Sequence, residues 1–301
     1  MTGPLKTDSL SRATGAALLA ALATAFLLIN RAAYHGYFQH DDFAHLSWTT
    51  KGPWTGFITG ALSPRFYPHL FRPLGHLHYY LMEKAAGLNY PAFVAAIQLY
   101  HLAAAWVLWL VLRQLRFTLV PAAATVVVFT LNMAVFQIFW LPAFVFDLGC
   151  GLFCLISFLF WMRRRWVSSF VFFFLAYRWK ETAIMLPAVL LLYEWLVAEE
   201  KHWWPLAPFF AVSAWFGGQG LTSFHSGAQT EYRFTLTPAA VWRAAKAGET
   251  TPGLSATRNF SRSVCAASPV AVIQESSQFW PVGSKTPGKP RRSTACAISL
   301  K

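Results

Sequence analysis

Acidic residues are scarce in this chain: only 12 of its 301 residues are aspartate or glutamate, and charged residues of both signs make up 12%. Soluble globular domains carry about twice that charged fraction. Hydrophobic residues make up 56%, and uncharged runs such as residues 13–30 approach the roughly 20 residues that cross a bilayer as a helix. The runs are continuous rather than alternating, which excludes a membrane barrel and predicts an all-α, polytopic transmembrane protein.

Cysteine is also scarce, with four residues in the whole chain. Cys150 and Cys154 lie about one helical turn apart inside an apolar run. This placement favours small packing residues of a helix over a disulfide framework or a metal site.

The net charge of +13 does not indicate nucleic-acid binding, because the basic residues lie in short loops between apolar runs. Arg113 and Arg116 separate two such runs, and Arg163–Arg165 separate two more. Basic clusters in short loops are typical of the cytoplasmic side of a membrane protein. The predicted partner is therefore the lipid bilayer, with no nucleic acid.

The charge pattern divides the chain into three segments. Residues 1–12 are predicted to be a cytoplasmic amino terminus, because Lys6 and Arg12 precede the first apolar run. Residues 13–245 are predicted to form a membrane core of about seven spans, with a first outer loop at residues 31–90. The predicted spans are 13–30, 93–112, 117–136, 145–162, 166–177, 182–193 and 203–218. For residues 246–301 two interpretations remain, a disordered tail or an out-of-frame translation product.

Two further patterns concern the outer side. The stretch FRPLGHLHYYLMEKAAG in the first outer loop is amphipathic and predicts a helix along the membrane interface. The stretch Arg178–Glu181 interrupts an apolar region, where one continuous helix would bury three charges at high cost. We predict two short helices that meet there at an outward-facing, water-filled cleft.

The stretch YFQHDDFAHL places Asp41 and Asp42 side by side at the start of the outer loop. One carboxylate of such a pair can act as a general base, while its neighbour holds it or binds a divalent cation. The flanking histidines allow a metal site made of His40, Asp42 and His45. The alternative is purely structural, because an aspartate at the start of a helix caps unpaired backbone N–H groups.

Four stretches of the chain resemble the GT-C superfamily of membrane glycosyltransferases, and in particular bacterial relatives of the protein O-mannosyltransferases. They are FQHDDFAHL, FRPLGHLHYYLMEKAAGLNYPAFVAAIQLYHLAAAW, FWLPAFVFDLGCGLF and RWKETAIMLPAVLLLYEWL. Their order and spacing within residues 13–235 carry the resemblance more than any single stretch. The resemblance implies a truncated GT-C core, because the family normally continues with further spans and often with a soluble outer domain.

The resemblance implies that Asp41 is catalytic and Asp42 is its partner, because the family places an acidic pair in the first outer loop. Many relatives have Asp-Glu where this chain has Asp-Asp, so the assignment between the two stays open. Asp147 matches a second acidic position of the family, and its alternative role is a carboxylate near the positive end of a helix dipole. We expect the three carboxylates to converge in one cleft.

The resemblance also implies that Arg72, Lys180 and Glu181 bind substrate. Arg72 and Lys180 would contact the phosphate of a lipid carrier, whereas Glu181 would contact substrate or pair with a neighbour. The alternatives are an interfacial arginine and a Lys180–Glu181 salt bridge without chemistry. The implied donor is a polyprenyl-phosphate-linked sugar, the implied acceptor is a protein or glycan, and the implied location is the extracytoplasmic face of the bacterial inner membrane.

Two other functions stay open from the sequence. A transporter or flippase would also place charges such as Asp147, Arg178 and Glu181 along a path through the membrane, although the chain shows no inverted repeat. A non-catalytic fragment of a transferase is the other alternative, if essential donor or acceptor contacts belong to the spans and outer domain that the family normally adds.

Overall fold

A computed structural model describes residues 7–50, 53–65, 71–132 and 136–226 of this chain. The regular structure of these ranges is helical and includes no strand, which confirms the predicted all-α class. The helices are α1 (Thr7–Ile29), α2 (His40–Thr49), α3 (Trp54–Leu62), α4 (Pro73–Ala86), α5 (Tyr90–Gln114), α6 (Leu119–Leu131), α7 (Gln137–Trp140), α8 (Val145–Met162), α9 (Trp166–Trp179), α10 (Leu186–Leu196) and α11 (Ala207–Ser226). The predicted tail, residues 246–301, lies outside the described ranges.

Two segments of the described chain are long and apolar enough to cross a membrane. They are Tyr90–Gln114, which is α5, and Pro142–Met162, which ends with α8. Two shorter apolar helices, Thr14–Ile29 and Leu119–Leu131, accompany them. These helices are consistent with a membrane location, whereas a bundle of about seven spans stays a prediction.

The predicted interruption near residue 180 is confirmed. Helix α9 ends at Trp179, and Lys180 has an extended backbone with φ −158° and ψ 145°. A 3-10 turn, Glu181–Met185, then leads into α10, whose first turn contains Pro187. Proline lacks the N–H that an α-helix needs beyond its first turn, so this position favours a new helix over continuation of α9. Lys180 and Glu181 therefore lie at a junction between two short helices.

An aromatic core holds the segment between α1 and α5 against the long helices. Tyr79 of α4, Phe93 of α5, Phe146 of α8 and Trp179 of α9 are all buried in it. Trp179 packs directly on α8 because Gly149 has no side chain; a Cβ there would lie 2.4 Å from Cδ2 of the Trp179 ring. This contact brings the end of α9, and with it the Lys180 junction, beside the first turns of α8.

The amphipathic stretch of the outer loop forms α4, as its pattern predicts. Its buried side includes His76, His78 and Tyr79, and it packs against α2, α3 and α9. An interfacial helix with only lipid beneath it would leave these three residues facing the bilayer. The apolar side of α4 instead faces the protein, which makes the helix part of the fold that carries the candidate site.

Arg178 differs from its predicted position in a water-filled cleft, because only 3% of the residue is exposed. Its guanidinium donates to the carbonyls of Gly60 at 2.8 Å, Ala61 at 3.0 Å and Arg65 at 3.1 Å, and also to the carbonyl of Ser63. Gly60 and Ala61 are in the last turn of α3 and Ser63 and Arg65 follow it; the last carbonyls of a helix lack donors within the helix. Arg178 thus acts as a buried cap that ties α3 to α9.

A second buried polar group, Glu194, lies beside the carboxyl end of α8. Glu194 of α10 is fully buried; its Oε1 accepts from the Trp161 indole at 2.7 Å and from Arg164 at 2.9 Å, and its Oε2 accepts from the His202 N–H at 2.9 Å. A buried carboxylate needs such partners to remain ionised. The network joins the loop after α8 to the loop after α10.

Replacing Arg178 with Met is expected to lower the free energy of unfolding by about 3 kcal/mol or more, because each buried carbonyl left without a donor costs roughly 1–3 kcal/mol. Denaturant unfolding in lipid–detergent micelles measures the change. Arg163→Met is the matched control, since Arg163 is exposed at the end of α8. Equal stability of the two variants would contradict the capping role of Arg178.

Candidate functional site

Helix α2 gives its two aspartates different surroundings. Asp41 is exposed in the first turn of the helix, whereas only 1% of Asp42 is exposed. The backbone N–H of Gln39, the N-cap residue, donates to Asp42 Oδ2 at 2.9 Å. The acidic residue three positions after an N-cap commonly makes this bond in a capping box. The capping interpretation therefore describes Asp42, while Asp41 remains accessible to a substrate.

Asp42 also joins α2 to the rest of the outer loop. Its Oδ1 accepts from the Tyr79 hydroxyl of α4 at 3.0 Å. Burial raises the pKa of Asp42, although bonds from the backbone of Gln39, from Tyr79 and from the backbone of Ala143 act in the opposite direction. Both carboxylate oxygens of Asp42 accept hydrogen bonds from protein donors. Asp42 therefore fixes the position of α2, the helix that also carries Asp41.

The Phe146 ring, at the start of α8, is the common contact of the outer-loop residues. Its centroid lies 4.3 Å from the ring of His45, 5.3 Å from that of His76 and 6.0 Å from that of Tyr79. The Arg72 guanidinium lies over it at 5.4 Å. Side chains from α2, α4 and the segment before α4 thus meet on one aromatic surface, and Asp147 is the next residue along α8.

Two histidines connect α2 with the start of α4. His45 Nδ1 lies 3.2 Å from His76 Nε2, and His76 Nδ1 lies 3.1 Å from the backbone nitrogen of Arg72. Burial and the nearby Arg72 charge lower the pKa of His45 to about 4, while Asp41 acts in the opposite direction. His45 is therefore neutral at pH 7 and forms hydrogen bonds as a neutral imidazole.

Two ion pairs bring together the other four predicted site residues. Arg72 binds Glu181 through two parallel hydrogen bonds, from Nε to Oε2 at 3.1 Å and from NH2 to Oε1 at 2.7 Å. Lys180 Nζ lies 2.5 Å from Asp147 Oδ1. Burial opposes ionisation of Glu181, but the bonds and charge of Arg72 outweigh it and lower the pKa of Glu181.

The charges therefore alternate in sign in the order Asp147, Lys180, Glu181, Arg72. Each pair is partly accessible, with side-chain exposures of 16% and 48% for Arg72 and Glu181, and 21% and 37% for Lys180 and Asp147. The predicted Lys180–Glu181 salt bridge is replaced by pairing of each residue with a distant partner. An arrangement of this kind can exchange one of its anions for an anionic ligand, because both cations stay in place.

Of the residues predicted from the sequence, His45 and Arg72 contact the Phe146 ring, while Glu181 pairs with Arg72 and Lys180 pairs with Asp147. Two further residues, Phe146 and Tyr79, were not predicted. Phe146 and Tyr79 join the elements of the site, but an aromatic residue is common in an apolar chain and neither stands out in it. The only local signal was the FVFD pattern, which places Phe146 directly before an acidic residue at a helix start.

The predicted metal site remains incomplete in the described part of the chain. No group of three or more histidine, cysteine, aspartate or glutamate side chains comes together there in a way that could hold a metal ion. The oxygens of Asp42 accept hydrogen bonds from protein donors, and His45 Nδ1 contacts His76. The side chain of His40, the third candidate ligand, lies outside the described residues.

Gly75→Ala is expected to destabilise the protein by roughly 1–3 kcal/mol, the usual cost of overpacking, because an added Cβ would lie 2.0 Å from Cε1 of Phe146. Thermal unfolding in micelles measures the loss, and the double variant Gly75→Ala, Phe146→Leu should recover part of it. The control is Gly151→Ala, whose Cβ would meet nothing within 4 Å. The packing of α4 on α8 would be wrong if both alanine variants were as stable as the wild type.

Comparison with known proteins identifies no relative of this chain. No protein-family model matches it, no curated protein matches it, and no solved structure matches it. The residues around Phe146, together with the resemblance of the four sequence stretches, are what supports a functional proposal.

Proposed function

We propose that this chain is the membrane core of a GT-C-type glycosyltransferase. It would move a sugar from a polyprenyl-phosphate-linked donor to a protein or glycan acceptor at the extracytoplasmic face of the bacterial inner membrane. The observation that carries the proposal is the meeting of Arg72 and Lys180, each partly accessible, at the start of α8, with the exposed Asp41 on the neighbouring α2. Cations for a phosphate and a carboxylate for a hydroxyl are the groups that such a transfer needs.

The two ends of α8 support a location across a bilayer. Asp147 pairs with Lys180 at its first turn, and Arg164 pairs with Glu194 just beyond its last turn. The 18 residues between these ends extend for about 27 Å, close to the hydrocarbon thickness of a bilayer. The basic loop Arg163–Arg165 indicates the cytoplasmic end, so the Phe146 surface would face the opposite, extracytoplasmic side.

The proposed reaction uses the exposed aspartate as the base. Asp41 takes the proton of the acceptor hydroxyl while the acceptor oxygen forms a bond to the anomeric carbon of the sugar. The bond from that carbon to the phosphate oxygen breaks, and its electron pair leaves with the lipid phosphate. Asp42, which is buried and bound on both oxygens, keeps α2 in position and does not enter the chemistry.

Arg72 and Lys180 would stabilise the phosphate as it leaves. The guanidinium of Arg72 already binds a carboxylate through two parallel bonds, and the same fork fits two phosphate oxygens. Glu181, the most exposed of the four charged side chains, is the group that the phosphate would displace. Asp147 would hold Lys180 toward the same surface.

A transporter or flippase is less well supported than a transferase. An experiment distinguishes an active transferase from a non-catalytic fragment. A transporter needs a polar path between the two membrane faces, whereas two ion pairs in the described residues lie near the two ends of α8, Lys180–Asp147 at its first turn and Arg164–Glu194 just beyond its last turn. Purified protein in sealed lipid vesicles, given polyprenyl-phosphate sugars and an acceptor peptide or glycan, distinguishes the three. Sugar transfer supports the proposal, movement of lipid without transfer supports a flippase, and lipid binding alone supports a non-catalytic fragment.

Asp41→Asn is expected to lower turnover by about 10²-fold or more, the usual contribution of a general base, without a loss of stability because the side chain is exposed. Turnover in nanodiscs and thermal unfolding are measured on the same preparation. Glu199→Gln serves as the control, since Glu199 forms an exposed pair with Arg116. Wild-type turnover by Asp41→Asn would remove Asp41 as the base.

A cysteine at Ser47 is expected to react with a membrane-impermeant maleimide from the extracytoplasmic side, because Ser47 is exposed on α2. The measurement uses intact cells and a chain whose native cysteines are replaced. A cysteine at Glu200, exposed in the loop after α10, is the control and should react only after permeabilisation. The reverse labelling pattern would overturn the proposed topology.

A further inference from the structure

Arg72, His76 and His45 form a chain of hydrogen bonds that fixes where each imidazole carries its proton. His76 Nδ1 lies 3.1 Å from the nitrogen and 3.0 Å from the oxygen of the Arg72 backbone. The backbone oxygen of Arg72 already accepts a hydrogen bond from the backbone N–H of His76 at 2.9 Å. Among the described residues, the acceptor found for the Arg72 backbone N–H, at the N-cap of α4, is His76 Nδ1, which accepts only when it carries no proton. A backbone N–H without an acceptor is costly, so this tautomer is favoured.

The tautomer of His76 determines that of His45. With Nδ1 accepting, a neutral His76 carries its proton on Nε2 and donates it to His45 Nδ1 at 3.2 Å. His45 Nδ1 is then the acceptor, so the proton of the neutral His45 ring is on Nε2. His45 therefore presents an N–H donor on the edge of its ring opposite His76.

We propose that the Nε2–H of His45 donates a hydrogen bond to the phosphate of the polyprenyl-phosphate donor that Arg72 holds. This inference rests on the proposed function and adds a substrate-binding residue to it. His76 is a positioning residue, because it acts through the tautomer of His45.

The position of His45 supports this role. Its ring lies 4.3 Å from the Phe146 ring, over which the Arg72 guanidinium lies at 5.4 Å. The ring is partly exposed, and the hydrogen bond found for it within the described residues uses Nδ1. A phosphate bound to Arg72 from the open side would therefore meet a second donor.

A neutral donor suits this position better than a second cation. A protonated His45 would repel the Arg72 charge, because both groups lie against the Phe146 ring. The neutral ring adds a directed N–H without repulsion, and its bond to an anion is stronger than one between neutral groups. Of the described residues, the charged and titratable ones that face His45 are Asp41 on its own helix and Arg72, His76 and Tyr79 on the α4 side.

The test compares two substitutions of His45 in nanodiscs that contain polyprenyl phosphate. His45→Gln retains an amide N–H close to the position of Nε2, whereas His45→Leu removes it. We expect the Leu variant to bind polyprenyl phosphate about 10-fold or more weakly, the usual effect of losing a hydrogen bond to a charged group. The Gln variant should retain most of the affinity, and His35→Leu, at an exposed position, should retain all of it.

Two further probes identify the group that is recognised. Uncharged polyprenol should not bind at this site. If the protein recognises the phosphate alone, inorganic phosphate should bind weakly, and the variants should rank in the same order of affinity. Unchanged binding of polyprenyl phosphate by His45→Leu, together with weaker binding by Arg72→Gln, would overturn the role of His45 and leave the transferase proposal in place.

The tautomer provides a readout that a purely structural role would not change. In the wild type, ¹⁵N spectra of labelled histidine should show His45 with its proton on Nε2, and His76→Leu should give a mixture of tautomers. A His45 proton on Nδ1 in the wild type would overturn the inference. Lipid-phosphate binding with the expected order of variants but no sugar transfer would overturn the proposed function alone. Absence of any polyprenyl phosphate binding would overturn both.

Discussion

The candidate site depends on the close packing of the Phe146 ring against Gly75, which has no side chain. A side chain at position 75 would collide with the ring, so α4 approaches α8 only because glycine is there. The same ring contacts His45 and His76 and lies under Arg72. One close approach between two helices therefore sets the distances among groups that come from three separate parts of the chain.

Charged side chains are paired in this protein because an unpaired charge in apolar surroundings has a high free-energy cost. Glu194 is fully buried and has three donors, which is the arrangement that a buried carboxylate requires. The pairs formed by Arg72 and Lys180 are partly exposed instead. Separating the two partners of either ion pair costs less free energy, because water can solvate the released side chain. The buried Glu194 network is thus suited to stability, and the partly exposed pairs are suited to exchange of partners.

Local patterns in the sequence predicted local structure well. The uncharged runs predicted α5 and α8, and the charges at residues 178–181 predicted the break between α9 and α10. The partners of those charges were not predictable, because Arg72 and Glu181 are 109 residues apart and a basic residue can pair with any acid that the packing brings near. The burial of Arg178 was missed for the same reason, since its acceptors are backbone carbonyls, which no side-chain pattern marks.

The capping of α3 by Arg178 has a consequence for biosynthesis. The carbonyls at residues 60 and 61 precede Arg178 by 118 and 117 residues, so the ribosome makes them first. At about 5–20 residues per second, the wait lasts roughly 6–24 s. During that interval the carbonyls at the end of α3 lack the donors that Arg178 supplies. The segment that carries α3 thus acquires its final contacts only after α9 has been synthesised, which makes the order of events during translation part of how this protein folds.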